Sequence, residues 1–498
     1  MRDIAVVLDC GATNASAVAV SSRGEVIAAA SRPNAPVAQP GGEGGWLIWD
    51  LDEIWAKLAD ACRQVCSSLK RAKVRAVAVT TFGADGAPVR RDGALAYPII
   101  SWQCQRTAPL AEELRSCFDP FSIYQETGYQ IISFNTLLRF VWLRRNAPEA
   151  LDSAHCWMMT PGLLSHKLCG ESSIDPTIAS TTMAIDSAGR KWSEKMLAMA
   201  ALGPSFFPKW REPGEVIGAV RTDAAEQTGL PRFIPVVAAG HDTQFAIIGS
   251  GATQEQAILS SGTWEILTLR SDHYQPDRAG FEDGLIIECD AVPGFWNPQM
   301  LMIASGVLEW IRKNFYGEIA ESENVHERMI SEAQEIEPGS GGVTIIPSFV
   351  PDTGPLKRVG IPGVMHGLTL TTARGQVYRA ALEGLSFQLR QALERVAHST
   401  GARVEGIRIV GGGSRNALWN QIRADVTGIP VTALEQTEAT ALGAAMFAFV
   451  GAGTFNSLDE AQQGMGRKSH TFDPSPNRDR YEEIFARYES LSSSLGNL

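Results

Sequence analysis

The segment VVLDCGATNASAVAV, residues 6–20, constrains the fold more than any other part of this sequence. A short apolar run ends at Asp9, the small and polar residues GATN follow, and a second apolar run begins. This pattern predicts a strand, a polar turn and a second strand. A P-loop or a dinucleotide-binding turn is followed directly by a helix, so the second strand argues against both of these motifs.

A second copy of the same pattern, AILSSGTWEILTLR, covers residues 257–270. It again predicts a strand, a turn of Ser, Gly and Thr, and another strand. Hairpins with such turns are common, and either one alone would say little about function. One copy in each half of the chain predicts instead a duplicated architecture.

Three further segments place polar turns at the ends of strands. VRAVAVTTFGADG predicts a buried strand that runs into a polar turn, and RFIPVVAAGHDTQFAIIGSG predicts a strand, a turn with His241 and Asp242, and a helix. GIRIVGGGSRNALWNQIRADVTG predicts a strand, a glycine turn and a helix. Helical periodicity marks residues 51–69, and a long helical pattern later in the chain ends at Gly401.

The composition is that of an ordinary globular protein, with 44% hydrophobic and 20% charged residues in a chain of 498, enough for two or three domains. The formal net charge of −11 disfavours a surface that binds nucleic acid. The eight cysteines include no CxxC pair, so neither a zinc site nor a disulfide framework is expected. Because the sequence shows no signal-peptide core and no apolar run of about 18 residues, we expect a cytoplasmic protein with reduced thiols.

The two hairpin turns offer backbone N–H groups and hydroxyls that can bind the phosphates of a nucleotide. A carboxylate beside phosphates is repelled unless a cation lies between them, and Mg²⁺ typically binds through one or two carboxylates, waters and phosphate oxygens. Asp9 is therefore predicted to hold Mg²⁺, directly or through water. The glycines of GGGSRN, residues 411–416, let adenine and its ribose approach the backbone. The alternative interpretation of this glycine triplet is that it only forms a tight turn between a strand and a helix.

Asp242 follows an apolar strand, with His241 before it and Thr243 after it. An ionised carboxylate is stabilised near a helix N-terminus. There it can accept a proton from a hydroxyl that attacks the γ-phosphate of a nucleotide. Asp is also a favoured N-cap residue, so these residues alone support a general base and a simple helix cap about equally.

Taken together, the motifs resemble the FGGY family of carbohydrate kinases, within the actin-like ATPase superfamily. The resemblance covers roughly residues 1–460 and depends on the order of the motifs VLDCGATN, TTFGADG, YPIISW, SFNTL, AGHDTQFA, LSSGTWEIL, ASGVLEW, RGQVYRAALEGL and VGGGSRNALWNQI. It implies an α/β fold of two RNase H-like (actin/hexokinase-like) domains with ATP in the cleft between them. The implied boundaries are 1–246 for an N-terminal domain, 247–460 for a C-terminal domain and 461–498 for a helical tail.

The resemblance also implies roles for individual residues. It makes Asp242 the catalytic base and Asp9 the metal-associated acid. The residues that it places at the nucleotide are Ala12, Thr13, Asn14, Ala15, Ser16, Gly262, Thr263, Gly306, Gly412 and Gly413. The residues that it places at the sugar are Gly83, Asp85, Arg106, His241, Thr243 and Asn297.

One segment departs from the family pattern. Many kinases of this family read W-x-D-x-R at the sugar pocket, whereas this chain reads WQCQR, with Cys104 in place of the acid and Arg106 retained. Cysteine behaves as a small hydrophobe. The replacement fits a deoxy sugar, whose methyl group needs apolar surface rather than an acceptor for a hydroxyl. The alternative is that residue 104 does not touch the sugar.

These features predict an ATP- and Mg²⁺-dependent kinase, and the resemblance directs it to the 1-hydroxyl of L-fuculose. L-Rhamnulose or another six-carbon deoxyketose is the alternative substrate. A non-catalytic actin-fold ATPase would need neither an acid such as Asp242 nor a polar sugar turn, so that interpretation is weaker. The expected partner is a small ketose, with no nucleic acid and no membrane, and the sequence leaves a homodimer open.

Overall fold

The computed structural model describes residues 2–69, 72–319, 322, 324–350, 362–435 and 438–495. The strands are β1 (Arg2–Cys10), β2 (Asn14–Ser21), β3 (Val26–Pro33), β4 (Val37–Ala38), β5 (Leu47–Trp49), β6 (Ala72–Thr81), β7 (Gly86–Val89), β8 (Ile99–Ile100), β9 (Cys156–Met159), β10 (Ser173–Ile174), β11 (Ile185–Asp186), β12 (Lys191–Trp192), β13 (Lys209–Trp210), β14 (Val216–Ala219), β15 (Pro235–Val237), β16 (Gln256–Ser261), β17 (Trp264–Thr268), β18 (Ile286–Cys289), β19 (Trp296–Ile303), β20 (Thr344–Ile346), β21 (Val364–His366), β22 (Gly406–Val410), β23 (Val431–Leu434) and β24 (Ser469–Phe472). The α-helices are α1 (Leu51–Ser68), α2 (Ala108–Cys117), α3 (Pro120–Thr127), α4 (Thr136–Asn146), α5 (Pro148–Asp152), α6 (Thr160–Cys169), α7 (Pro176–Ser180), α8 (Glu194–Ala198), α9 (Thr222–Thr228), α10 (Asp242–Ser250), α11 (Arg278–Asp283), α12 (Ser305–Phe315), α13 (Val325–Gln334), α14 (Arg374–Thr400), α15 (Ala417–Thr427), α16 (Ala439–Gly451), α17 (Leu458–Gly464) and α18 (Asn477–Leu495).

The first large sheet is built around the opening hairpin. β1, β2 and β3 pair antiparallel, and β6 and β15 continue the sheet parallel to β1, giving the order β14-β15-β6-β1-β2-β3. Residues 4–8 of β1 are fully buried, as expected for a central strand covered by helices on both faces. The strand–turn–strand prediction for residues 6–20 is therefore confirmed.

The second large sheet repeats this arrangement. β16, β17 and β19 pair antiparallel, and β22 and β23 lie parallel to β16, giving the order β18-β19-β17-β16-β22-β23-β24. The five strands β3-β2-β1-β6-β15 and the five strands β19-β17-β16-β22-β23 thus share one order and one set of directions. The duplicated architecture that the two hairpins predict is present in the fold.

Helix α1 covers one face of the first sheet and confirms the helix predicted over residues 51–69. Its apolar side chains, among them Ile54, Leu58 and Val65, are buried in the same core as alternate side chains of β1. Asp50 caps the helix, since its side chain accepts hydrogen bonds from the backbone N–H groups of Asp52 and Glu53.

Helices α10 and α16 join the two halves of the chain. Their backbones cross at Gly249 and Gly443, where a β-carbon would collide with the carbonyl groups of Ala439 and Phe245, respectively. Although α16 lies within the second predicted domain in sequence, its apolar residues enter the core on the other face of the first sheet, beside β1 and β6. The small residues of this helix are needed because two helix backbones approach closely.

The C-terminal segment completes the second half. β24 pairs antiparallel with β23, and α18 packs Tyr481, Phe485 and Tyr488 around Phe387 of α14. The segment predicted as a helical tail therefore also contains a strand, and its last helix contributes to the core of the second half. In the described part of the chain, no helix is both long and apolar enough to cross a membrane.

Candidate active site

The carboxyl ends of β1, β6 and β15 bring the predicted catalytic acids to one edge of the first sheet. Asp9 of β1 is in register with Thr80 of β6. The next residue, Thr81, forms a bridge to His241, and its N–H donates to the carbonyl of Gly240 at 2.9 Å. Ligands of open α/β sheets usually bind outside the carboxyl ends of the strands, so this edge is the expected position for a site.

The first hairpin turn is fixed by Asn34, which follows β3. The backbone N–H of Asn34 donates to the carbonyl of Thr13 at 2.8 Å, and its Nδ2 donates to the carbonyl of Gly11 at 2.9 Å. Asn34 is buried, whereas Thr13 and Asn14 are exposed at the tip of the turn. The predicted phosphate turn is thus held from its buried side and open on the other.

Asp9 lies in an electrostatic environment that favours a cation. Thr80 donates its Oγ1–H to Asp9 Oδ1 at 2.7 Å. Burial and the negative charges of Asp242 and Glu438 nonetheless raise the pKa of Asp9 to about 7. Among the described residues, no group of three or more His, Cys, Asp or Glu side chains forms a metal cluster. This donor set fits Mg²⁺, which needs only one or two carboxylates when phosphate oxygens and waters supply the other ligands.

Asp242 begins helix α10, and His241 is the residue at its N-cap position. Asp242 Oδ1 accepts a hydrogen bond from the N–H of Thr243 at 2.6 Å and lies 3.4 Å from His241 Nε2. Burial raises the pKa of the Asp242 carboxyl, and the charge on His241 opposes this effect. The side chain keeps 27% of its surface exposed, so a ligand hydroxyl can reach it.

His241 is bound on its other side to a buried acid, Glu288 of β18. His241 Nδ1 lies 3.1 Å from Glu288 Oε2, and Tyr129 and Gln244 also donate hydrogen bonds to this carboxylate. Asn297 Nδ2 donates in turn to Gln244 Oε1. Asn297 is fully buried behind His241, and its sugar contact stays a prediction.

The charges of this pair depend on each other. Burial lowers the pKa of His241, but the negative charge of Glu288 and its hydrogen bond outweigh that effect and raise the pKa to about 9. Burial raises the pKa of Glu288, yet the interactions with His241, Tyr129 and Gln244 bring it below its ordinary value. His241 and Glu288 therefore form a buried ion pair at neutral pH.

The TFGADG turn lies against His241. A β-carbon on Gly83 would lie 2.9 Å from Thr181 Cγ2 and 3.1 Å from His241 Nε2, so only glycine leaves this space free. The next residue, Ala84, adopts a φ of 66°, a conformation that L residues rarely take, and its N–H donates to Thr181 Oγ1 at 2.8 Å. Backbone strain of this kind often marks a ligand-binding turn.

Asp85 lies beneath this turn and not in the open site. Its Oδ1 lies 2.7 Å from Arg139 Nη1, and both side chains are buried. Its Oδ2 accepts hydrogen bonds from Trp49 Nε1 at 2.6 Å and from the backbone N–H of Trp102 at 3.0 Å. The Asp85 carboxylate has no exposed surface and holds Trp102 and the turn, and its sugar contact stays a prediction.

Arg106 lies between aromatic rings beside Cys104. Its guanidinium stacks on Trp46 at 4.2 Å and donates hydrogen bonds to Gln39, to Tyr97 and to Cys104 Sγ, the last at 3.1 Å. Arg106 and Cys104 are both buried. The position that holds an acid in many family members is therefore filled here by a thiol packed against the arginine.

The two glycine-containing turns of the second half meet at Ser261. A β-carbon on Gly413 would collide with Ser261 Oγ, and one on Gly411 would lie 2.7 Å from the carbonyl oxygen of Ser261. Gly412 has open space at its β-position and is exposed. The structure thus brings the predicted adenosine turn next to the predicted second phosphate turn.

The second phosphate turn is also tied to α12. The N–H of Gly306 donates to the carbonyl of Thr263 at 3.2 Å, and the N–H of Ser305 donates to the carbonyl of Gly262 at 3.2 Å. Thr263 is exposed at the tip. Gly262, Thr263 and Gly306 therefore lie together, as their predicted nucleotide contacts require.

Comparison with known proteins identifies the family of this chain. The profile of the FGGY family of carbohydrate kinases, N-terminal domain, matches residues 4–249, and that of the C-terminal domain matches residues 257–452. The chain belongs to the FGGY family of carbohydrate kinases. It is an ATP-dependent sugar kinase with a two-domain α/β fold, and it acts on a small-molecule sugar.

Relatives of this kinase include the L-fuculokinase of Escherichia coli K12, 42% identical over 97% of this chain and 100% of that protein. The L-fuculokinase of Haemophilus influenzae is 36% identical over 93% of this chain and 97% of its own length. A rhamnulokinase of Bacteroides thetaiotaomicron is 27% identical over 81% of each chain.

Solved structures show the same fold. A xylulose kinase from Rhodospirillum rubrum superimposes with a TM-score of 0.86 at 24% identity, covering 98% of each chain. A glycerol kinase from Plasmodium falciparum, solved with ADP, superimposes with a TM-score of 0.87 at 19% identity and covers 99% of this chain and 98% of that one.

Two residues at the site of the kinase, Asn34 and Glu288, escape prediction from sequence, and a third, Trp102, is predicted only as part of the segment WQCQR at the sugar pocket. Asn34 fixes the first phosphate turn, Glu288 pairs with His241, and Trp102 is held by Asp85. A signal exists for Glu288, because an acid within the apolar strand segment IIEC is unusual and calls for a buried partner. Asn34 lies in a segment that carries no such signal.

Proposed function

We propose that this kinase transfers the γ-phosphate of ATP to the 1-hydroxyl of L-fuculose, with Asp242 as general base and Mg²⁺ as cofactor. The observation that carries the proposal is the 42% identity to an L-fuculokinase over 97% of this chain and the whole length of that relative. The position of Asp242 supports it, because this carboxylate is partly exposed at the edge of the first sheet, beside the predicted sugar turn.

The nucleotide is proposed to bind between the turns of the two halves. The first turn contributes Ala12 and Thr13, the start of β2 contributes Asn14, Ala15 and Ser16, and the second half contributes Gly262, Thr263, Gly306, Gly412 and Gly413. Asp9 would hold Mg²⁺, which when bound neutralises phosphate charge. This arrangement assigns the first domain to residues 1–246 and the second to 247–460, with α16 returning to the first sheet.

The sugar is proposed to lie against Gly83, His241 and Thr243, with Arg106 in the pocket wall. Its 1-hydroxyl donates a hydrogen bond to Asp242, which takes the proton as the oxygen attacks phosphorus. Cys104 and the rings around Arg106 give this wall an apolar character that suits the methyl group of a deoxy sugar. Asp85 and Asn297 support the pocket from buried positions.

A panel of ketoses tests the substrate. Purified enzyme is assayed by coupled ADP release with L-fuculose, L-rhamnulose, D-ribulose and glycerol, and the position of phosphate in the product is assigned by phosphorus–carbon coupling in NMR. We expect the highest kcat/KM with L-fuculose, and a value about 10–200-fold lower with D-ribulose, which lacks the methyl group. A higher kcat/KM with L-rhamnulose contradicts the substrate and leaves the sugar kinase activity intact.

The kinase is further proposed to act in the cytoplasm, where ATP is abundant and thiols stay reduced. All eight cysteines have free thiols in the structure, which supports a reducing compartment. Fractionation of cells that express the protein, followed by immunoblotting, tests this placement.

A further inference from the structure

Glu288 reaches the catalytic edge from the second sheet. It lies in β18, an edge strand of that sheet, whose N–H at Ile287 donates to the carbonyl of Gly128 in the first half at 2.7 Å. Gly128 has a φ of 75°, and a β-carbon there would collide with the carbonyl of Ile287. The close backbone contact fixes β18 against the first half, and it carries the Glu288 side chain to His241.

The partners of Glu288 determine the protonation of His241. Tyr129 donates to Oε1 and Gln244 donates to Oε2, so the carboxylate accepts hydrogen bonds through both oxygens and is ionised. His241 Nδ1, at 3.1 Å from Oε2, must then carry a proton. Its other ring nitrogen, Nε2, lies 3.4 Å from Asp242 Oδ1, a second carboxylate oxygen. An imidazole between two carboxylates is stabilised as the cation.

The contacts on Asp242 are unequal between its two oxygens. Oδ1 accepts hydrogen bonds from the N–H of Thr243 at 2.6 Å and from the hydroxyl of Thr243 at 3.3 Å. His241 Nε2 also lies closest to this oxygen, at 3.4 Å. Within the described residues, these hydrogen bonds and this ion pair all involve Oδ1. Oδ2 is thereby the oxygen left to accept a proton from a substrate hydroxyl.

We propose that Glu288 is a positioning residue for phosphoryl transfer: it holds His241 as a cation, and His241 orients Asp242 so that Oδ2 faces the sugar hydroxyl as an ionised base. The inference rests on the proposed role of Asp242 as the base. Glu288 itself touches neither sugar nor nucleotide in this scheme. It acts from the second half of the chain on a base that belongs to the first half, which makes the base dependent on the contact between the two halves.

Several charged groups surround the His241–Asp242 pair. Glu288 faces His241 from β18, and Asp175, which precedes α7, lies directly against Gly240. Asp9 acts on Asp242 from the end of β1, and Tyr129 reaches the same cluster through Glu288. Glu288, Asp242 and Asp175 favour the His241 cation, and Glu288 contributes the largest share against burial.

The test compares Glu288→Gln with a matched control, Glu383→Gln. Glu383 is a buried acid paired with Arg379 in α14, away from the catalytic edge, so both variants remove one buried negative charge. Without Glu288, burial returns His241 to the neutral form, and Asp242 loses its cation. At low pH, kcat/KM falls because the base Asp242 becomes protonated, and this part of the pH profile is its acid limb. We expect the midpoint of the acid limb to rise by about 1–3 pH units in Glu288→Gln and to stay unchanged in Glu383→Gln.

Further variants separate this inference from the proposed function. His241→Gln should reproduce the shift of the acid limb, and the double variant Glu288→Gln/His241→Gln should shift it no further, because Glu288 acts through His241. The inference is overturned if Glu288→Gln lowers kcat and Tm but leaves the midpoint of the acid limb at its wild-type pH. That is the result expected of the control Glu383→Gln. If Glu288→Gln is insoluble, an unshifted limb in His241→Gln overturns it. A normal kcat in Asp242→Asn would show that Asp242 is not the base. It would overturn the inference as well, because the inference rests on that role.

Discussion

The hydroxyl of Ser261 occupies the space that a β-carbon on Gly413 would need. This hydroxyl is itself fixed, because it donates to Glu265 at 2.6 Å and accepts from Arg423 Nη2 at 3.1 Å. Glu265 and Arg423 form an ion pair with no exposed side-chain surface. The second phosphate turn and the adenosine turn are thereby locked to each other through a buried ion pair.

The variant Gly413→Ala should weaken nucleotide binding. The added methyl group must displace Ser261 or the glycine turn, and overpacking of this kind costs about 1–3 kcal/mol. We expect the KM for ATP to rise about 10-fold, with a smaller change in the KM for sugar. Gly466→Ala is the matched control, because nothing lies within 4 Å of its β-position. Equal effects of the two substitutions on the KM for ATP would contradict the coupling of the two turns.

Replacement of Asp9 by Asn should abolish most activity and stabilise the free protein. Burial and the charges of Asp242 and Glu438 oppose ionisation of Asp9, so a neutral side chain removes this repulsion when no cation is present. We expect a higher Tm without Mg²⁺ and a rate that stays low at saturating Mg²⁺. Calorimetric unfolding and a Mg²⁺ titration of the rate check the two expectations. Near-wild-type activity at saturating Mg²⁺ would rule out the metal role of Asp9.

Much of the fold follows from local sequence patterns. The two hairpins are predicted correctly because each consists of two apolar runs and a turn that lie within about 15 consecutive residues, and their pairing needs no distant partner. Helix α1 is predicted for the same reason, since its apolar residues recur with helical spacing.

Contacts between distant segments are the part that sequence reasoning misses. The placement of α16 on the first sheet depends on the fit of Gly443 against Phe245, and no periodicity encodes such a contact. The pairing of Glu288 with His241 likewise depends on β18 docking at Gly128. Asp85 lies on the buried side of the predicted sugar turn, because its partner Arg139 comes from a helix that the motif does not include.

Asp242→Asn tests the base directly. The amide keeps the shape and most of the hydrogen bonding of the carboxylate but cannot take the proton. General-base catalysis typically contributes about 10²–10⁴-fold, so we expect kcat to fall within that range. Calorimetric titration should show sugar and ATP binding largely retained. A near-normal kcat would show that Asp242 has only a structural role at the N-terminus of α10. Loss of sugar binding would show that it is chiefly a binding residue.

Asp85→Asn should destabilise the protein and weaken sugar binding together. It leaves the Arg139 charge buried without its counterion, and breaking a buried pair typically costs about 3–5 kcal/mol. Urea unfolding gives the free energy, and the KM for sugar reports on the shift of Trp102 and the turn. Glu113→Gln is the control, because its ion pair with Arg145 is exposed to solvent and such pairs contribute little to stability. Similar unfolding free energies for the two variants would show that the buried pair adds little.

The stability of the nucleotide-free kinase should depend on pH through His241. Its pKa in the folded protein is about 9, above the value of 6.5 for an ordinary histidine. The folded state therefore binds one proton more than the unfolded state between these values. The stabilisation is complete below about pH 6.5 and is lost as the pH rises through about 9, with a slope of up to about 1.4 kcal/mol per pH unit.

His241→Gln isolates this contribution. Wild-type protein and variant are unfolded with urea between pH 6 and 10 in the presence of EDTA, which removes bound metal ions, and the free energy of unfolding is compared at each pH. The difference in unfolding free energy should be largest at pH 6, where wild-type His241 is protonated in both states and the ion pair with Glu288 is intact. It should shrink steadily toward pH 10, where the imidazole is neutral and buried. A difference that stays constant across this range would mean that His241 is already neutral in the folded protein at pH 7.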